Sequence, residues 1–177
     1  MNNLPNIIIL GKMRSGKSTI GNIIKNIYPE YYRLALNTKQ KNLSNLFIDN
    51  KDKNRELIYR ITENLATIDN YVWIKYIKNK IKNLDKPIIL EGMLLLHEYE
   101  YIKDLFNWYI IKIDISKKLQ KERLQNGKLI NNKYENSKLK NIKYNLIIDM
   151  DFNNKSSDIN SFKLHYTNIL KNELNDF

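Results

Sequence analysis

Eight residues near the start of this chain have the types and spacing to hold a phosphate group. Gly11-Lys12-Met13-Arg14-Ser15-Gly16-Lys17-Ser18 satisfies G-x-x-x-x-G-K-[ST] at every fixed position. The two glycines let the backbone close around an anion, so that successive N–H groups and the start of the following helix face a β-phosphate. Lys17 then reaches the β- and γ-phosphates as a point charge, and the hydroxyl of Ser18 is a ligand for Mg²⁺. The cofactors implied are ATP and Mg²⁺. Their contacts run over Gly11, Lys12, Met13, Arg14, Ser15, Gly16, Lys17, Ser18 and Thr19, with the Arg14 side chain either pointing to solvent or stacking on adenine.

Such a loop works only if a strand delivers it and a helix receives it. Ile7-Ile8-Ile9-Leu10 supplies the strand, and Ile20, Ile23, Ile24 and Ile27 recur at helical spacing behind it. Further along, short apolar runs alternate with longer helical patterns, which predicts an α/β fold around a mostly parallel five-stranded sheet. Strands are expected over residues 6–10, 33–36, 87–90, 108–113 and 145–148. Helices are expected over 16–28, 39–47, 53–65, 71–84, 98–106, 117–125 and 158–174. The runs before Gly11 and at Ile88-Ile89-Leu90 are continuous rather than alternating, as in strands covered on both faces, and belong at the sheet centre. A chain of 177 residues with no internal repeat and no clear linker reads as one domain.

Composition removes several chemistries. Without a cysteine there is no disulfide, no cysteine-held zinc or iron–sulfur centre and no thiol nucleophile. His97 and His165 stand apart, without metal-ligand spacing or a partner serine. The first residues lack the basic stretch and the length of a secretory signal, and no apolar run is long enough for a membrane span. An intracellular, cytoplasmic location is therefore expected. The net charge of +11 points toward anionic partners, although twenty-five of the thirty basic residues are lysine beside abundant Asn and Ile, a bias that A/T-rich codons also produce.

A phosphate loop leaves the reaction open. A switch GTPase carries N-K-x-D and D-x-x-G; Asn141-Ile142-Lys143-Tyr144 does not complete the first, and no D-x-x-G follows a strand. Mechanical ATPases need a larger core with further motifs. A kinase acting on a small acceptor fits the length, and such an enzyme needs positive charge over the transferring group, donors for the acceptor and exclusion of water. Two segments offer these: a helical block at about residues 38–84 between the second and third strands, and a basic segment at about 116–143 between the fourth and fifth. The latter is the expected lid.

Several stretches resemble phage-type deoxynucleoside monophosphate kinases, within the phosphate-loop nucleoside monophosphate kinase superfamily. Leu10-Gly11-Lys12-Met13-Arg14-Ser15-Gly16-Lys17 is similar to the G-K-x-x-S-G-K loop of that group. Arg55-Glu56-Leu57-Ile58, followed by Asp69-Asn70-Tyr71-Val72-Trp73-Ile74, resembles its R-E-L-L and D-x-x-x-W-V pattern. Glu98-Tyr99-Glu100-Tyr101-Ile102-Lys103 resembles its N-E-A-E-x-I-K stretch, and Ile142-Lys143-Tyr144-Asn145-Leu146-Ile147-Ile148-Asp149 its I-x-Y-D-x-V-I-x-N ending.

The resemblance implies transfer of the γ-phosphoryl group of ATP to a (deoxy)nucleoside monophosphate. Arg55 would hold the acceptor phosphate through a bidentate guanidinium. Tyr59 stands where the family usually has Gln, and Trp73 would wall the acceptor pocket unless it is a core residue on the stripe with Ile77 and Ile81. Glu91 ends the third strand, where a carboxylate can hold Mg²⁺ through water or orient the acceptor. The Arg that the family places two residues later is Met93 here. Arg123, among Lys117, Lys118, Lys121 and Lys128, would close over the γ-phosphate. The catalytic set is thus Lys17, Arg123 and Glu91, with Ser18 and Glu91 at the metal.

The partner is then a small nucleotide acceptor, with no stable nucleic-acid or membrane partner and a homodimer left open. Two other readings stand beside this one. The first is dephospho-coenzyme A kinase or another small-metabolite kinase of the same fold; the second is a basic nucleic-acid-binding protein with a vestigial loop, which lacks an RNP-like aromatic pattern.

Overall fold

A computed structural model describes residues 4–36, 38–46, 55–92, 96–123, 142–151 and 159–175. Its elements run β1 (Asn6–Gly11), α1 (Lys17–Ile27), β2 (Tyr32–Ala35), α2 (Thr38–Asn45), α3 (Arg55–Ile68), α4 (Val72–Lys82), β3 (Ile88–Glu91), α5 (Leu96–Ile102), a 3₁₀ turn (Lys103–Leu105), β4 (Trp108–Asp114), α6 (Lys117–Glu122), β5 (Leu146–Asp149) and α7 (Ile159–Asn175). The five strands form one sheet in the order β2-β3-β1-β4-β5 with every pair parallel. The α/β, five-stranded parallel architecture read from the sequence is the one observed. Among the described residues no helix is long and apolar enough to cross a membrane.

Two apolar layers explain why the central strands lack alternation. Ile7 and Ile9 face a cluster with Ile20, Ile23 and Ile24 of α1 and Tyr166, Leu170 and Leu174 of α7. Ile8 and Leu10 face the opposite cluster with Ile74, Ile77 and Ile81 of α4 and Ile102 of α5. Both faces of β1 are therefore dry, and each such side chain contributes about 1.5–3 kcal/mol relative to exposure. β1 lies at the centre of the sheet, and β3 lies between β1 and the edge strand β2. Parallel pairing of β1 with β3 brings their carboxyl ends side by side, with Ile9 in register with Glu91.

Element boundaries moved where side chains intervene. The helix expected over 98–106 begins at Leu96 and ends at Ile102, whose carbonyl accepts a 3.0 Å hydrogen bond from the buried indole of Trp108. That bond satisfies a terminal carbonyl and lets the chain turn through the 3₁₀ segment into β4. The edge strand is displaced by one residue, to Tyr32–Ala35, yet Leu36 still donates its N–H to the Glu91 carbonyl at 2.9 Å. α3 continues past residue 65 to Ile68, and Asp69 then makes the turn into α4.

Candidate active site

The glycine-rich loop leaves β1 at the carboxyl edge of the sheet and enters α1. Gly16 caps α1 in the left-handed region (φ 105°), and Gly11 has φ 157° with an added Cβ falling 2.7 Å from the Ile113 carbonyl and from Ser15 Oγ. Neither position has room for a side chain. At Gly16 the space is taken by Met150, a buried residue that follows β5. Arg14 is held at φ 63°, also left-handed, a conformation that non-glycine residues adopt only when their surroundings enforce it. The Ser15 N–H bonds to the Lys12 carbonyl at 3.2 Å and closes the loop.

The donor set within this cradle fits a phosphate. Lys17 Nζ donates to the carbonyls of Gly11 and Lys12, each at 2.6 Å, so the ammonium is drawn inside the loop. Ser15 is fully buried, and its Oγ is a buried polar atom with no hydrogen-bond partner among the described residues. Buried hydroxyls are ordinarily satisfied, and an anion seated in the loop would supply the acceptor this one lacks. Ser18 is exposed on the first turn of α1, where its hydroxyl is open to a hydrated cation.

Helix α6 closes the loop from its outer side. Ser116 caps the helix by accepting the Leu119 N–H at 3.1 Å, and its own N–H and hydroxyl donate to the Asp151 carboxylate just beyond β5. One turn later the buried Gln120 donates to the Met13 carbonyl at 2.9 Å. Arg123 then reaches back so that Nη1 lies 3.3 Å from the Arg14 carbonyl and 3.4 Å from that of Ser15. The sequence-assigned arginine thus sits on the phosphate loop, more than a hundred residues away in the chain. Gln120 was not singled out from the sequence; the available signal was its place one turn after a Ser N-cap.

Glu91 stands at the carboxyl end of β3 and is 4% exposed. It has a partner that sequence reading missed. Arg33 of β2 donates through Nε to Glu91 Oε1 and completes the ion pair through Nη2. The same guanidinium donates to Asn22 of α1 and approaches the Ser18 carbonyl at 3.5 Å.

The remaining expectations divide. Trp73 is 5% exposed and donates its indole N–H to the Thr62 carbonyl of α3 at 3.4 Å. It is a buried residue that ties α4 to α3. Asp69, four residues earlier, accepts the Tyr71 N–H at 2.8 Å and pairs with Lys75 at 2.7 Å; these contacts hold its carboxyl below the usual range. The D-x-x-x-W spacing therefore builds the α3–α4 turn. Arg55 and Tyr59 lie on the first turns of α3, and their side-chain contacts fall outside the described residues. So do Met93, Lys128 and the greater part of the expected lid, residues 124–141. His97 is placed against Asn70 and Tyr71, without a metal-ligand cluster among the described residues.

A parallel sheet in this order, with a glycine-rich loop after β1, recurs in solved structures of small-molecule kinases. Solved structures that it matches include a gluconokinase from Sinorhizobium meliloti, with a TM-score of 0.59 and 13% identity over 99% of this chain and 97% of that one. A shikimate kinase from Acinetobacter baumannii in complex with shikimate matches with a TM-score of 0.54 and 16% identity, covering 99% and 96% of the two chains. A sugar kinase from Janibacter gives a TM-score of 0.54 at 12% identity, covering 97% and 94%. No protein-family model and no curated protein matches by sequence.

Proposed function

We propose that this chain is an ATP- and Mg²⁺-dependent kinase that transfers the γ-phosphoryl group to a (deoxy)nucleoside monophosphate, giving the diphosphate. The observation that carries the phosphoryl-transfer part is the loop itself: two positive-φ glycines, a buried Ser15 hydroxyl without a partner among the described residues and the Lys17 ammonium lie within one eight-residue turn. ATP bound there supplies the transferable phosphoryl group, and Mg²⁺ neutralises its charge.

The chain's own residues bind, orient and exclude water. Backbone N–H groups of the loop and α1 hold the phosphates, Lys17 moves from loop carbonyls to phosphate oxygens, and Ser18 with Glu91 serves the metal. Arg123 already lies on the loop and adds cationic charge beside the transferring phosphate. Arg55, opening α3 in the helical block after β2, holds the acceptor phosphate. The nucleotide acceptor rests on the resemblance of Arg55-Glu56-Leu57-Ile58 and its neighbours to the phage-type enzymes.

A second reading has its own support. Solved structures of this fold are named as a gluconokinase, a shikimate kinase and a sugar kinase, so a non-nucleotide small acceptor is the main competitor. A coupled ADP-release assay decides between them, run against the common NMPs and dNMPs with dephospho-coenzyme A, gluconate and shikimate alongside. Release with one or a few monophosphates supports the proposal. Release only with a hydroxylated metabolite replaces it with the second reading, and nucleic-acid binding without any acceptor-dependent turnover would favour the vestigial-loop alternative.

A further inference from the structure

Arg33 belongs to neither the phosphate loop nor the expected acceptor block, yet its guanidinium joins three elements of the site. Both of its contacts to Glu91 fall on Oε1. Among the described residues the second oxygen, Oε2, carries no protein partner, so the acceptor capacity that remains on this carboxylate is concentrated there. From its other side the guanidinium is fixed by Asn22 and by the Ser18 carbonyl.

The arrangement is built into the helix as well as the strands. Gly21 lies inside α1, where glycine is less favourable than alanine, and a Cβ there would fall 2.5 Å from Glu91 Oε1 and 3.2 Å from Arg33 Nε. The missing side chain is what lets a carboxylate of β3 and a guanidinium of β2 meet beside the helix that begins the phosphate site. A planar fork suits this better than an ammonium, because one group must serve a carboxylate, an amide and a carbonyl at once.

We propose that Arg33 is a positioning residue of the metal–nucleotide site: it occupies Oε1, ties the carboxylate to the first turns of α1, and leaves Oε2 for the water shell of a divalent cation at Ser18. This rests on the kinase reading and adds to it a residue that does not touch the nucleotide. Partners that orient a metal-facing group control metal affinity without being ligands.

Calorimetric titration of the full chain with ADP, in EDTA and in Mg²⁺, gives the factor by which Mg²⁺ tightens ADP binding. In Arg33→Lys, which keeps the charge and loses the fork, that factor should fall about tenfold while metal-free ADP affinity stays within about threefold. Glu91→Gln should lower it similarly, and the double variant should fall no further than Glu91→Gln alone, since the two act as one unit. Should Arg33→Lys not fold, Asn22→Ala, an exposed change that frees one side of the guanidinium, should still lower the factor about twofold to threefold.

An unchanged factor in folded Arg33→Lys, or in Asn22→Ala when that variant carries the test, overturns the inference and leaves the kinase reading intact. So does a double variant that loses the product of the two single effects. Wild-type protein that binds no nucleotide overturns both.

Discussion

The loop end of this molecule and the α3–α4 hairpin are held by different kinds of contact. At the loop, fixing groups come from distant parts of the chain and act on the backbone: Gln120 on the Met13 carbonyl, Arg123 on the Arg14 and Ser15 carbonyls, and Met150 against Gly16. The turn of the hairpin is fixed by neighbours in sequence, through the Asp69 cap and the contact of the Trp73 indole with Thr62, while α4 packs on the sheet through Ile74, Ile77 and Ile81. A phosphate is the same in every nucleotide, so the part that binds it can be specified by backbone shape. An acceptor is particular, and in the proposed function its recognition is left to side chains of the α3–α4 block.

That contrast makes the two ends respond differently to substitution. The largest effect is expected from Lys17→Ala, about a thousandfold in ATP turnover, because the charge is lost where transition-state charge accumulates. The fold should survive, since Lys17, the first residue of α1, belongs to neither hydrophobic core cluster, and circular dichroism with steady-state kinetics checks both statements. Turnover within threefold of wild type would end the nucleotide-enzyme account.

Trp73→Ala is next and should act on stability. Removing a buried indole between α3 and α4 should cost about 3–4 kcal/mol in denaturant unfolding. A loss below about 1 kcal/mol, accompanied by a rise in acceptor KM, would return the ring to the pocket wall and weaken the description of the hairpin as scaffold.

Arg55→Ala should raise KM for the acceptor about tenfold, as loss of a charge-assisted phosphate contact does, with little change in KM for ATP. Equal changes for both substrates, or none, would show that the resemblance misplaces the acceptor site.

The smallest effect concerns pH. Asp69 has its carboxyl held low by Lys75 and the Tyr71 N–H, so the stability it adds is present above the unfolded-state pKa near 3.8 and is lost as pH falls through the lower folded value. The pair is exposed and screened, so Asp69→Asn should lower Tm only slightly at neutral pH, with the difference vanishing in acid. A constant difference down to the acid limb would assign the effect to the turn rather than to charge.

Much of this was readable in the sequence, for a physical reason. Ile7 to Leu10 must be buried on both faces, and Gly11 and Gly16 must adopt conformations other residues resist, so strand, loop and helix announce themselves locally. Arg123 could be assigned by charge and position, and its meeting with the loop follows from the β1–β4 pairing. Arg33 and Gln120 left no such mark. Each acts through a contact between elements far apart in sequence, at a position whose residue type looks ordinary in its own strand or helix. Trp73 shows the opposite limit, since its spacing fitted both a pocket and a core and only packing separates them.

In the proposed function, the cradle holding Lys17 and Ser15 serves transfer of phosphoryl to a small nucleotide acceptor. Phosphorus NMR of the chain incubated with ATP, Mg²⁺ and the monophosphate selected by the ADP-release screen tests it most directly. The acceptor's single resonance should be replaced by the paired α and β signals of a second diphosphate, in step with the ADP formed. ADP accompanied by inorganic phosphate, with the monophosphate signal unchanged, would contradict it.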